Sequence, residues 1–152
     1  MAPSRETLLS AAICLCTDFA AKSAPSAILA HFATGMPPTV IEHGHPSLAP
    51  FVGRAFNGRE EVGRYFDLLR RLLDFDDMCF SEYVVDTDSS KVCCKGRARF
   101  TWLATAQSWD ETFTYTLDFV EEGDQNVKVR RYQVWADTGA AYLASRGELK
   151  DG

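Results

Sequence analysis

The sequence predicts a single α+β domain whose helices lie on one face of a curved, mostly antiparallel sheet. Three observations lead there. Apolar residues recur at helical spacing up to about Asp77 and alternate in and out thereafter. The breaks between the later β-rich segments (Asp86–Ser90, Ala106-Gln107 and Glu122–Asp124) are short and turn-like, so consecutive strands pair antiparallel. The 152 residues suffice for one core, and 46% hydrophobic and 12% aromatic content supplies its apolar area.

Taken in order, Ser4 to Lys22 reads as an amphipathic helix with Leu8, Ala12, Leu15 and Phe19 on one stripe. Ala24-Pro25 breaks it, because proline lacks a donor and disfavours helix in the residue before it. Pro25 to Ala33 forms a second, short helix, and Gly35 to Pro38 ends it. Thr39 to His43 is a short strand, followed by the long Gly- and Pro-punctuated loop GHPSLAPFVGRAFN. Asn57 caps the third helix while Glu60 reaches back, and Val62, Phe66, Leu69 and Leu73 make its apolar stripe.

Four strands follow: Met78 to Asp86, Lys91 to Thr105, Ser108 to Glu121 and Asn126 to Ala136. In the third of these, Phe113, Tyr115, Leu117 and Phe119 share one face, and Thr112, Thr114, Thr116 and Asp118 the other. Ala140 to Ser145 forms a last helical turn. No repeat, linker or low-complexity tract divides the chain, so residues 1–152 are one domain, with 1–3 and 147–152 as loose tails.

The net charge of -5 supplies no basic surface for phosphate neutralisation, so nucleic acid is not an expected partner. No apolar run is long enough to span a membrane. The N-terminal LLSAAICLC superficially resembles a signal peptide, but Glu6 before it, Asp18 after it and its helical periodicity read as a domain helix. The five cysteines match no paired zinc spacing and read as free thiols of a reducing, cytoplasmic compartment.

The stretch Ile41-Glu-His-Gly-His-Pro46 carries two of the three histidines. His43 and His45 could reach one ion from extended backbone, with Glu42 then pointing to the other side and His31 as a third ligand. Gly44 and Pro46 argue instead for a turn that scatters the rings, so no metal is expected. His43 is then either a polar group on the rim of a cavity or an acid–base imidazole.

The element order, Phe56-Asn-Gly-Arg-Glu-Glu-Val62 opening the third helix, and Val127-Lys-Val-Arg-Arg-Tyr-Gln-Val-Trp-Ala-Asp137 ending the sheet resemble the nuclear transport factor 2-like superfamily, and within it the SnoaL-like proteins. The resemblance covers nearly the whole chain. It implies a cone in which three N-terminal helices pack in the concave face of a strongly curved sheet (α-β-α-β-β-β-β). It also implies a pocket inside the cone and homodimerisation through the sheet, without fixing one chemistry.

The Asp-Arg-Asp arrangement of the family's epoxide hydrolases is absent, since Arg97-Ala-Arg99-Phe-Thr101 and Val134 occupy the corresponding stretches. The histidines do not match those of scytalone dehydratase. An isomerase-like or cyclase-like site needs a carboxylate base and a donor. Asp137 is a candidate base, although an Asp before Thr-Gly-Ala-Ala also suits a helix cap. Tyr115 or Tyr65 is a candidate donor.

Tyr65, Phe66, Phe100, Trp102, Phe113, Phe119 and Trp135 are candidate cavity-lining rings, which suit a flat apolar ligand or simply fill the core. Arg97, Arg99, Thr114 and Thr116 fall on the opposite, polar sheet face, a candidate dimer interface. The expectation is a cofactor-free isomerase, cyclase or dehydratase. It would move protons on a hydrophobic polyketide- or terpenoid-like metabolite, with His43, Asp137 and Tyr115 as its catalytic candidates. The alternative is a non-catalytic binding or dimerisation module of the same fold.

Overall fold

A computed structural model describes residues 2–150. The elements are α1 (Arg5–Ala20), α2 (Pro25–Leu29), β1 (Thr39–His43), β2 (Ala55–Asn57), α3 (Gly58–Leu72), β3 (Leu73–Asp86), β4 (Lys91–Trp102), β5 (Gln107–Glu121), β6 (Val127–Trp135) and α4 (Thr138–Ser145). One six-stranded sheet has the order β2-β1-β6-β5-β4-β3. Neighbours are antiparallel except β1 and β6, which run parallel. The α+β class, the three N-terminal helices and the mostly antiparallel sheet are as the sequence predicts.

The sheet is open but strongly curved. α3 touches β1 and β2 at one edge and β3 at the other, so the sheet wraps round it. Bulges supply the bending. Two lie in β3, at Asp76/Cys79 and Ser81/Val84, where Asp77 and Glu82 take left-handed backbone. A third lies where Asp118 pairs with Arg131 but Phe119 pairs with Val129, leaving Arg130 as the extra residue. Gly96 lets the sheet close over the core: the ring of Phe113 lies where a Cβ would stand.

Local chemistry sets the helix ends. The Ser4 side chain accepts from the Thr7 amide and starts α1. At α3 the expected box is replaced. The Asn57 side chain makes no cap bond, and Glu61, not Glu60, accepts from the Asn57 amide at 3.1 Å. Glu60 pairs with Arg64 one turn on. α3 passes directly into β3, so that strand begins at Leu73 rather than Met78. α2 is shorter than expected, and the long loop contains the unforeseen β2.

Single contacts are made at or beside both expected tails. Pro3 is buried, and the Ser4 amide donates to Gln125 Oε1. The Leu149 amide donates to Gln107 Oε1 at 2.9 Å. The expectation for residues 151–152 and residue 1 lies outside the described residues. No helix among the described residues is long and apolar enough to cross a membrane.

Candidate active site

β1 points Val40 and Glu42 into the cone and Thr39, Ile41 and His43 away from it. Glu42 pairs in register with Val134, and its main-chain oxygen accepts from the Gly53 amide at 2.8 Å. This bond folds the 44–54 loop back over the strand end and brings Phe51 into the core. Gly53 has φ +76°, and a Cβ there would strike Gly44 and Pro46, so the return requires glycine.

The Glu42 side chain is 7% exposed, and Tyr65, fully buried on α3, donates to its Oε1 at 2.9 Å. Burial, with the Glu111 charge adding to it, pushes the Glu42 carboxyl up to about 8 against the opposing Tyr65 hydrogen bond.

Glu111 comes from β5, in phase with Trp109, Phe113 and Tyr115 on the inner face. Trp109 Nε1–H donates to its Oε1 at 2.8 Å. Burial raises the Glu111 carboxyl as well, while the Trp109 hydrogen bond opposes that rise. Burial raises the hydroxyls of Tyr65, Tyr115 and Tyr132 too, keeping them protonated donors.

These groups line a narrow cavity of about 50 Å³ with Tyr115, Tyr132, Phe51, Phe113, Trp109 and Asp137. Phe19, Leu69, Leu73 and Phe100 line it as well and also line a larger cavity of about 330 Å³. The site therefore comprises an apolar vestibule and an adjoining small floor that shares these four lining residues and holds two buried carboxyl groups. No cation among the described residues pairs with either carboxyl, whose partners are neutral donors.

The residues singled out from sequence fall in several places. Tyr65, Phe113 and Tyr115 line the floor, Phe66 the vestibule and Phe100 both. Trp102 is buried near Phe51, and Phe119 is buried elsewhere in the core. Asp137 borders the floor, but its carboxylate caps α4, accepting from the Ala140 amide at 3.0 Å.

His43 and Trp135 lie on the outer sheet face. Their rings stack at 4.4 Å, His43 is bonded to Gln133 Oε1, and Trp135 is 45% exposed. Neither reaches the cavity, a correction to both expectations. His45 forms a turn with Ser47, and His31 pairs with Asp18 across α1 and α2, so the three imidazoles do not converge. Arg97 and Arg99 sit on the outer face, Arg99 beside Asp110.

Sequence reasoning named neither Glu42 nor Glu111 as a site residue, although it had Glu42 pointing away from His43, as it does. Alternation offered a signal for Glu111, which continues the phase of Phe113 and Tyr115.

No family model matches the chain, and no curated protein matches it in sequence. Solved structures match it over nearly their whole length. TerC co-crystallised with polyporic acid superposes with a TM-score of 0.73 at 14% identity, covering 92% of this chain and 98% of that one. BvnE pinacolase from Penicillium brevicompactum gives 0.66 at 16% identity, covering 95% and 94%. A ketosteroid isomerase-like protein from Erwinia carotovora atroseptica gives 0.66 at 16% identity, covering 88% and 95%. The chain has the nuclear transport factor 2-like fold. In this cone, the floor carboxyls sit where the inner sheet face meets α3 and the 44–54 loop.

Proposed function

We propose that this protein is a cofactor-free, SnoaL-like acid–base catalyst that isomerises, cyclises or dehydrates a hydrophobic ring-containing metabolite. The observation that carries this reading is the pair of buried carboxyls, Glu42 and Glu111, facing one small cavity with neutral hydrogen-bond donors and no cation. Two such groups in unequal environments divide into an acid and a base. Glu42, pushed up to about 8, holds its proton at neutral pH and is the acid. Glu111, less strongly raised and steadied by Trp109, is the base.

For an isomerisation the protons balance within the site. Glu111 takes a proton from the carbon next to a carbonyl while Glu42 gives its own to the carbonyl oxygen, forming an enol. Glu111 then returns its proton to a different carbon as the oxygen's proton goes back to Glu42. Tyr115 and Tyr132 are donors on the same floor. The floor admits only a few atoms, so the reacting end enters it and the ring body stays in the vestibule. The small molecule co-crystallised with TerC and the pinacolase activity named for BvnE support this class of ligand and chemistry.

A panel of flat hydrophobic ketones incubated in D₂O, with exchange next to the carbonyl followed by NMR, tests the reading. Glu42→Gln and Glu111→Gln should each slow exchange by roughly a hundredfold or more. Full exchange in both variants refutes it.

A second role concerns the outer sheet face, where Trp135 is exposed beside polar residues including Arg97, Arg99, Thr114 and Thr116. This face pairs with a second copy in our reading, and sedimentation of Arg97→Glu/Trp135→Ala against the parent chain checks it. An unchanged mass rejects that interface.

A further inference from the structure

We infer that the ligand of this site is an organic anion, with its charge held at the vestibule rim by Arg70 and Lys22 and its uncharged reacting end at the floor. The inference rests on the catalytic reading of the floor for the second half of that statement only.

The vestibule is apolar through its depth, lined by Phe19, Phe66, Leu69, Leu73, Phe75 and Phe100. Its polar side chains are Lys22, Ser23, Arg70 and Asp74. Arg70 Nη2 donates to the main-chain oxygens of Ser23 at 2.8 Å and Lys22 at 3.3 Å, just past the end of α1. These bonds fix the guanidinium but use only part of its five N–H donors. The nearby carboxylates are engaged elsewhere, Asp67 with Arg71 and Asp74 with Lys22.

Lys22 is the second cation. Its backbone is left-handed as the chain leaves α1, and its ammonium lies 2.8 Å from Asp74 Oδ1 and 5.1 Å from the Phe75 ring centroid. The rim therefore carries two cations and one carboxylate, on a molecule whose net charge is -5. A bulk field of that sign repels anions, so selectivity for one must come from this local arrangement. The floor has the opposite character: no cation lines it, and Glu111 and Asp137 stand there beside the protonated Glu42. A ligand with an anionic end meets attraction at the rim and repulsion at the floor, which sets its orientation before chemistry begins. The recognised class is a planar hydrophobic acid or stable enolate.

A matched pair of dyes tests this on the intact chain: 1-anilinonaphthalene-8-sulfonate and its uncharged analogue N-phenyl-1-naphthylamine, titrated by fluorescence. The sulfonate should bind more tightly, by roughly three- to tenfold at low salt. Arg70→Gln should abolish that advantage while leaving the neutral dye's affinity unchanged. Asp74→Asn frees Lys22 and should tighten sulfonate binding by roughly two- to fivefold, a gain that unfolding cannot mimic.

Equal binding of the two dyes, binding of neither, or a preference that survives Arg70→Gln and ignores Asp74→Asn overturns the inference. Dye binding requires no catalysis. Loss of the rim preference with a working Glu42/Glu111 pair therefore sinks this inference alone, and an intact preference with inert carboxyls sinks the catalytic reading alone.

Discussion

Glu42→Gln should stabilise the protein, and by an amount that grows with pH. The carboxyl ionises near 4.5 in the unfolded chain and is pushed up to about 8 in the folded one. Between those values the folded chain keeps a proton that the unfolded chain has lost, so stability falls as pH rises, and the loss is complete above about pH 8. Each pH unit in that window costs about 1.4 kcal/mol. Relative to pH 4, the loss is thus about 3 kcal/mol at pH 6.5 and about 5 kcal/mol at pH 9.

Gln has no such titration, keeps nearly the same shape, and still offers an oxygen to the Tyr65 hydroxyl. The advantage of Glu42→Gln over the parent should therefore widen by about 2 kcal/mol between pH 6.5 and pH 9. For a chain of this length that is roughly 4–8 °C in Tm. Urea unfolding followed by tryptophan fluorescence at the two pH values, under reducing conditions, measures the difference directly. Titration of every other group largely cancels in the comparison. An advantage that is the same at both pH values would refute the assignment of Glu42 as a buried acid that holds its proton.

Tyr65→Phe removes the donor to Glu42 Oε1, so it should destabilise by about 1–2 kcal/mol and move Glu42 ionisation still higher; carbon-13 NMR of the Glu carboxyls reads the latter. Gly96→Val drives a side chain into the Phe113 ring and should cost about 2–3 kcal/mol in urea unfolding. Asp118→Ala removes a buried carboxylate shared by the partly exposed Lys91 and Arg131 and should cost about 1–3 kcal/mol, measured the same way. His43→Ala loses only the contact with Trp135 and the Gln133 bond on the outer face, so exchange catalysis should be unchanged.

The fold was legible because its signals are local and repeated. The Phe113-Tyr115-Leu117 alternation and the amphipathic stripe of α3 each fix a face without outside help. The site was less legible because its decisive residues depend on phase. In Thr39–His43, Val40 and Ile41 are both apolar, so alternation does not say which side faces the core, and hydrophilicity alone does not separate Glu42 from His43. Pairing with β6 and the reach of Tyr65 decide it. Trp135 was misplaced for a related reason. The extra residue at Arg130 shifts the inward phase of β6 from Val127 and Val129 to Tyr132 and Val134, which turns Trp135 outward. A bulge of this kind leaves no mark in composition.

Three acidic side chains are buried among the described residues, and their surroundings separate their roles. Asp118 is ringed by Lys91 at 3.2 Å, Arg131 at 2.8 Å and Arg130 at 3.9 Å, beside a bulge, and lines neither the vestibule nor the floor. Its burial is compensated by opposite charge, as a structural carboxylate requires. Glu42 and Glu111 have neutral donors instead: the Tyr65 phenol for Glu42, and the Trp109 indole N–H with the Asp137 backbone for Glu111. With neutral donors of that kind, burial pushes the Glu42 carboxyl up to about 8 and raises that of Glu111, an arrangement unfavourable for a core and suitable for acid–base chemistry. An apolar residue of similar volume at position 42 would avoid a penalty of about 3 kcal/mol at pH 6.5, a large fraction of a domain's net stability. The penalty is incurred at the end of a vestibule, beside a second carboxyl without a cationic partner, and that placement is the physical ground on which we propose Glu42 as a chemical group rather than a packing one.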